Sequence, residues 1–232
     1  MFATYTPELK LTTVANYHEH GPRSWDAVTG EAGAGFADHR GVYTFPLSEE
    51  WKRWMAVSGK ELTREELAEF IDNNILDVIE PTPYLLNASS SDPAPWEERC
   101  ATIAEKIDGR FGQPHELVNL SRQFTINETS DLKVTANRND GTTSLQFVNE
   151  HKDDEGRPLK LPSLFLIAIP VFDGMDLYRL TARFSYRKSS STVKFRLQVF
   201  QPDIALRDAM EGECARAQAA TQLPLMWGTP ER

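Results

Sequence analysis

The chain has 232 residues, 40% hydrophobic and 25% charged, which is typical of a soluble globular protein of one or two domains. Its formal net charge of −9 argues against a protein that coats duplex DNA, because such binding depends mainly on neutralising phosphates. Cys100 and Cys214 lie far apart and outside any CxxC pair, which predicts reduced thiols rather than a disulfide framework or a zinc knuckle. No apolar run approaches the roughly 20 residues of a membrane helix, and residues 1–10 do not resemble a secretory signal.

The N-terminal region, residues 1–80, predicts two strands followed by two helices. The predicted elements are strands over residues 8–18 and 42–45 and helices over residues 48–57 and 63–75. Ser48 is placed to cap the first helix, and Thr63 with Glu66 forms a capping-box pattern at the start of the second.

Prolines and serines concentrated in residues 81–95 predict a connection to a β-rich C-terminal region over residues 96–220. The elements expected there are helices over residues 95–107, 114–122 and 203–220, a β segment over residues 123–150 with a turn at Asn139–Gly141, and strands within residues 163–202. Residues 221–232 are predicted to form a tail. The predicted fold class is α+β, with N-terminal strands and helices and a C-terminal antiparallel β-sheet flanked by helices.

The clearest pattern lies in residues 163–202. The apolar run Leu164–Ile169 predicts a strand covered on both faces, and two strands of alternating character follow it. The apolar side of the alternation is formed by Tyr178, Leu180, Ala182, Phe184, Tyr186, Val193, Phe195, Leu197 and Val199. The opposite side, termed the basic face, carries Arg179, Arg183, Arg187, Lys194 and Arg196.

A loop of two or four residues around Ser189–Ser191 allows two pairings of these strands, one with Arg183 opposite Arg196 and one with Arg187 opposite Lys194. Either pairing opposes two cations, which disfavours it by roughly 0.2–1 kcal/mol unless something negative lies over them. The sequence leaves three covers open: an anionic ligand, solvent, or the acidic side chains of the second predicted helix, Glu65, Glu69 and Asp72.

Two weaker candidate sites involve histidine and tryptophan. An HxH pair followed by Asp-His suggests a metal site of imidazole and carboxylate ligands, formed by His18, His20, Asp38 and His39. We expect no metal and no cofactor, because this spacing is common and no further ligand is specified. The tryptophans allow two interpretations: they could stack on bases or a small ligand, or they could pack in the core. Core packing is the expected role of Trp25, Trp51 and Trp54.

Five segments in order carry a resemblance to a known family: VANYHEHG, FADHRGVYTFPLSEEWKRWM, LVNLSRQF, LQFVNEHKDDEGRPLKLPSLFLIAIPVFDG and YRLTARFSYRK. Across residues 14–202 the chain resembles the YfdQ-like family of uncharacterised proteins encoded by bacteriophages and prophages. The resemblance implies a phage setting, a location in the cytoplasm of the bacterial host and a shorter N-terminus than many members. It implies no catalytic residues.

Three hypotheses of function follow. The first is a non-enzymatic accessory protein that self-associates and binds single-stranded nucleic acid or a nucleotide on the basic face. The second is a structural or host-protein-binding module, and the third is a metal-dependent enzyme using the histidine-rich candidate site. The local charge pattern favours the first. Self-association is expected because a β-rich C-terminal half needs neighbours for its free strand edges.

Overall fold

The computed structural model describes residues 1–6, 8–17, 24–25, 32–33, 35–86, 92–123, 127–128, 131–136, 143–148, 151–152, 161–189 and 192–229. Within these ranges the protein combines helices with mostly antiparallel sheets, so the predicted α+β class is confirmed. No helix in the same ranges has the length and apolar character needed to cross a membrane.

Strands and helices are numbered along the chain. The strands are β1 (Phe2–Thr6), β2 (Glu8–Tyr17), β3 (Ser24–Trp25), β4 (Ala32–Gly33), β5 (Gly35–Phe45), β6 (Glu61–Leu62), β7 (Val78–Ile79), β8 (Asn127–Glu128), β9 (Asp131–Ala136), β10 (Thr143–Val148), β11 (His151–Lys152), β12 (Leu164–Pro170), β13 (Leu177–Ser189), β14 (Thr192–Val199) and β15 (Met226–Trp227). The helices are α1 (Glu49–Val57), α2 (Arg64–Asn74), α3 (Pro95–Lys106), α4 (Pro114–Gln123) and α5 (Pro202–Thr221).

Backbone contacts group the chain into two units, each built from separate stretches of sequence. The first comprises Met1–Ala56, Ile169–Tyr178 and Gln201–Arg232. The second comprises Val57–Ala168 and Arg179–Phe200. The sequence predicts boundaries at residues 80, 95 and 220, which divide the chain into consecutive regions. These boundaries stay a prediction.

The first unit contains a four-stranded sheet in the order β15-β1-β2-β5. Its inner face buries Leu9 and Leu11, and Phe45 contacts Phe172 with ring centroids 5.8 Å apart. Ser48 fastens α1 to the segment after β12, because its backbone N–H donates to the Val171 carbonyl at 2.9 Å.

The second unit contains a five-stranded sheet in the order β6-β14-β13-β12-β7. The central run Leu164–Ile167 is fully buried, as predicted for a strand covered on both faces. A cluster on one side of this sheet joins Leu85, Cys100 and Phe111 to Leu164 and Leu166.

Local signals explain where most of the helices begin. The hydroxyl of Ser48 accepts from the N–H of Trp51 at 3.0 Å, which confirms the predicted cap of α1. Thr63 and Glu66 form both hydrogen bonds of the predicted capping box of α2. Proline occupies the start of α3, where its missing N–H costs no helical hydrogen bond.

The structure differs from the sequence-based expectations mainly at strands formed by long-range pairing. The sequence does not predict β1, and β5 begins at Gly35 rather than at residue 42. β15 lies inside the predicted tail and pairs in parallel with β1, with Phe2 opposite Met226. The predicted turn at 139–141 lies outside the described residues, although β9 and β10 pair antiparallel on either side of it.

Candidate functional site

The β13–β14 register decides between the two pairings that the sequence leaves open. Arg187 lies opposite Lys194, and Arg183 lies opposite Gln198 rather than opposite a second arginine. The last pair, Ser189 with Thr192, is separated by two residues, in agreement with the shorter predicted loop. Two cations are therefore directly opposed on the basic face.

The apolar and basic faces of the hairpin separate as predicted. Phe184 and Phe195 are buried and stack with ring centroids 5.9 Å apart. Phe165 of β12 meets Phe184 edge-on at 6.4 Å, so the apolar face belongs to the core. Four of the five basic side chains are exposed, and Lys194 is half-buried.

One end of the polar side of the hairpin is covered by α3. The guanidinium carbon of Arg179 lies 4.9 Å from the ring centroid of Trp96, a cation–π contact. Buried Thr181 donates its hydroxyl hydrogen bond to the Sγ of Cys100 at 3.3 Å. Burial raises the pKa of the Cys100 thiol, so this sulfur is a packed neutral group. Arg179 is thereby separated in role from the other four cations.

The other end of the basic face is open and contains a shallow pocket of about 180 Å³. Its lining residues are Glu61, Ser185, Tyr186, Arg187, Lys194, Phe195 and Arg196. Arg196 pairs with Glu61 of β6 at 3.7 Å, and both side chains are about half exposed, so this ion pair is weak. For Arg183, Arg187 and Lys194 the described part of the chain offers no carboxylate within ion-pair distance.

Sequence reasoning does not identify Glu61, and it places Ser185 on the basic face without counting it as a binding residue. Glu61 reaches the basic face because β6 adds to the outer side of β14, with Arg196 opposite Glu61. A two-residue strand between helices has no periodicity to read, so no sequence signal reveals it. Ser185 follows from the alternation, since it shares the face of Arg183 and Arg187.

Two of the three α2 acids that the sequence offers as a cover for the basic face, Glu65 and Asp72, pair with other cations, Glu65 with Arg64 at 3.7 Å. Asp72 pairs with Arg122 of α4 at 2.7 Å. Hydrogen bonds from the backbone and side chain of Thr63 lower the pKa of Glu66, and the charge of Lys194 lowers it further. Electrostatic attraction between α2 and the hairpin thus reaches Lys194, whereas Arg183 and Arg187 have no such partner in the described chain.

The metal candidates are only partly described. His18 and His20 lie outside the described residues, and for Asp38 and His39 the structure describes the backbone of β5 alone. The described side chains form no cluster of three or more His, Cys, Asp or Glu that would hold a metal ion. Trp51 and Trp54 are buried in the first unit, as expected for core residues.

Two further features combine charged groups or open space. In the first unit, burial and the nearby Asp208 carboxylate raise the pKa of Tyr178 to about 12, and buried Glu213 forms an ion pair with Arg216. Arg216 also lies 3.6 Å from Asp176, so these charges balance one another. In the second unit, a groove of about 500 Å³ runs beside the C-terminal half of α3.

Comparison with protein families gives a match over nearly the whole chain. The model of the family described as "Uncharacterized conserved protein (DUF2303)" matches residues 2–230. Searches of curated proteins and of solved structures return no match.

Proposed function

Since the chain belongs to the DUF2303 family of uncharacterised conserved proteins, we propose its function from the geometry of the basic face. The protein binds single-stranded nucleic acid by its phosphates, without catalysis, along the open end of β13 and β14. One observation carries this proposal: Arg187 and Lys194 oppose each other directly, and among the described residues no carboxylate lies within ion-pair distance of either.

Two directly opposed cations favour the binding of an anion between them. Like charges directly opposite each other disfavour a strand pairing, and a bound phosphate converts that repulsion into two charge-assisted hydrogen bonds. Arg183 and Arg187 are four residues apart on one strand, which places their Cα atoms about 13 Å from each other. A row of cations over that distance suits successive phosphates better than one small anion.

In the described part of the chain, the aromatic residues at the open end, Tyr186 and Phe195, belong to the apolar side of the hairpin and form no exposed stacking platform. Phe184 and Phe195 face the core, and Trp96 lies under Arg179 at the covered end. Contacts to phosphates without base stacking predict binding with little sequence preference and strong salt dependence. The net charge of −9 disfavours wrapping of duplex DNA and leaves a small local site as the mode of binding.

The biological setting of the proposal comes from the sequence resemblance. Similarity to YfdQ-like proteins over residues 14–202 supports an accessory protein of a phage or prophage, acting in the cytoplasm of the bacterial host. A protein surface of the host that presents acidic side chains would meet the same cations, and a binding experiment distinguishes it from nucleic acid.

The experiment is fluorescence anisotropy with a labelled oligothymidine, compared with a duplex of equal length and with a nucleoside triphosphate. The test variant is Arg187→Ser with Lys194→Ser. We expect the wild-type protein to prefer the single strand and the variant to bind at least tenfold more weakly. Log affinity should fall linearly with log salt concentration, and the slope should shrink by about 0.7 for each phosphate contact removed.

A matched control removes the same charge elsewhere. Lys52→Ser with Arg53→Ser deletes two exposed cations of α1, each paired with an acid three residues away. An equal loss of affinity in both double variants would show that binding depends on the net charge of the protein rather than on this site, and would contradict the proposal. Absence of oligonucleotide binding by the wild-type protein at physiological salt would also contradict it and would favour an acidic protein partner.

A further inference from the structure

The outer edge of β5 is an exposed feature of the first unit that the proposed nucleic-acid site does not use. β5 is eleven residues long and forms one end of the sheet β15-β1-β2-β5, so in the described chain no strand pairs with its outer side. Residues 40–44 of this strand are all exposed. Val42 is 54% exposed and Tyr43 is 57% exposed, although both have side chains usually found in contact with neighbours in a sheet.

Protection against edge pairing is weak along this stretch. Proteins usually protect an edge by making it short, by placing charges or proline on it, or by covering it. The other edge strands of the two larger sheets, β6, β7 and β15, are two residues long. Residues 40–44 contain one charge, Arg40, and no proline. An exposed strand of this length and composition is suited to pairing with another strand.

From this edge we infer that a second copy of the chain pairs antiparallel with β5, about a twofold axis through Val42. A twofold axis perpendicular to the sheet keeps each side chain on the same face in both copies. Such an axis lies between one residue and the same residue of the partner copy, so these two residues pair with each other. With the axis at Val42, Gly41 lies opposite the partner copy's Tyr43 and Arg40 lies opposite its Thr44. This interface is independent of the proposed nucleic-acid site.

Side-chain complementarity supports this register. A β-carbon placed on Gly41 would meet no atom within 4 Å, which leaves open space where a tyrosine ring from the opposite strand fits. Tyr43 already makes an edge-to-face contact with Phe45 at 4.6 Å, so its ring is held before pairing. Arg40 meets a threonine hydroxyl rather than a second arginine. An axis at Tyr43 would instead place Gly41 opposite the partner copy's Phe45, whose side chain is already buried in its own subunit and does not fill that space.

Light scattering of the full chain tests the interface. We expect a mass of twice 26.2 kDa for the wild-type protein at micromolar concentration. Val42→Lys and Val42→Glu should each halve the mass, because like charges would face each other across the axis. Mixing the two variants should restore the dimer, since Lys then faces Glu. Leu177→Lys, at a residue 60% exposed outside β5, is the control and should remain dimeric.

Cysteine cross-linking tests the register separately and does not require a change of charge. The native thiols, Cys100 and Cys214, are buried, so an introduced surface cysteine reacts alone. Val42→Cys should form a disulfide-linked dimer under mild oxidation, because residues paired across an antiparallel ladder have Cα atoms within disulfide range. Thr44→Cys should not, since the two copies would lie about 13 Å apart.

Three results would overturn the inference. They are a wild-type monomer at micromolar concentration, a dimer that survives both charged substitutions at Val42, and cross-linking through residue 44 in preference to residue 42. Circular dichroism of each variant checks that its secondary structure is retained, and the mixing experiment makes the result interpretable because recovery of the dimer requires folded subunits.

Discussion

The two ends of the polar side of the β13–β14 hairpin share one sequence pattern and have different surroundings. At the covered end, Arg179 lies over Trp96 and Thr181 is buried against Cys100. At the open end, Arg187 and Lys194 line a pocket with Glu61, whose carboxylate pairs with Arg196 rather than with either of them. Strand alternation therefore determines the direction of a side chain, whereas the environment of that side chain depends on the element that packs there.

The covered and open ends should also differ in their energetics. Substitutions at the covered end should change the free energy of unfolding, because packed contacts are lost. Substitutions at the open end should change ligand binding and have little effect on unfolding, because exposed charges contribute little to stability. Substitutions ranked from the largest expected effect to the smallest test this division.

The largest effect is expected under the covered end. Leu166 is fully buried in the cluster with Cys100 and Leu85, so Leu166→Ala should lower the free energy of unfolding by about 2–5 kcal/mol. Urea denaturation measures this change. Leu76→Ala, at a residue that is 93% exposed in the same unit, is the control and should stay within about 0.5 kcal/mol of wild type. A similarly small change in the free energy of unfolding for Leu166→Ala would show that Leu166 is not tightly packed in this cluster.

The pKa of Tyr186 tests whether the apolar side of the hairpin is buried at the open end, where the basic face is exposed. Burial raises the pKa of Tyr186 to about 12, whereas an unfolded tyrosine titrates near 10. The unfolded chain therefore loses this proton at lower pH, and stability should fall between pH 10 and 12 by about 1 kcal/mol after allowance for solvent screening. Tyr186→Phe should remove that part of the fall. Identical alkaline unfolding curves would show that the phenol is not buried.

The cation–π contact should contribute about 0.5–1 kcal/mol. Arg179→Gln should lower stability by that amount, and the loss should disappear when Trp96 is already replaced by Leu. Arg183→Gln is the matched change at the open end and should have no measurable effect on unfolding. A double-mutant cycle that shows no coupling between Arg179 and Trp96 would indicate that Arg179 is solvated like the cations of the open end.

The smallest effect should have the opposite sign. Removing the opposed pair with Arg187→Ser and Lys194→Ser should raise the free energy of unfolding by roughly 0.2–1 kcal/mol, because like charges across a strand pair repel. The same variant is expected to lose affinity for single-stranded nucleic acid. Stability that falls together with binding would indicate that these side chains have structural partners.

Much of the fold could be predicted because its signals are local. The capping residues of α1 and α2, the proline at the start of α3 and the alternation in β13 and β14 each act within a few residues. β6, β7 and β15 could not be predicted, since a two-residue strand is defined by its partner rather than by its own sequence. The N-terminal strand β1 pairs with β15 from the far end of the chain.

The candidate site could be predicted in part. The sequence identified the five cations and the apolar side opposite them, and it reduced the pairing to two registers. It could not separate Arg179 from the rest, because that distinction depends on Trp96, which lies more than 80 residues away in the chain. It could not place Glu61 beside Arg196 for the same reason.

The sequence by itself determined which residues face the core and which face outward, where the main helices begin, and that a basic face exists. These features depend on residue period and on hydrogen bonds between near neighbours, which are encoded over short stretches. Only the tertiary structure decided which cation contacts α3, which register opposes Arg187 to Lys194, and which strand edge is exposed. Those outcomes depend on packing between distant segments, whose free energy is determined by the whole arrangement rather than by any one stretch.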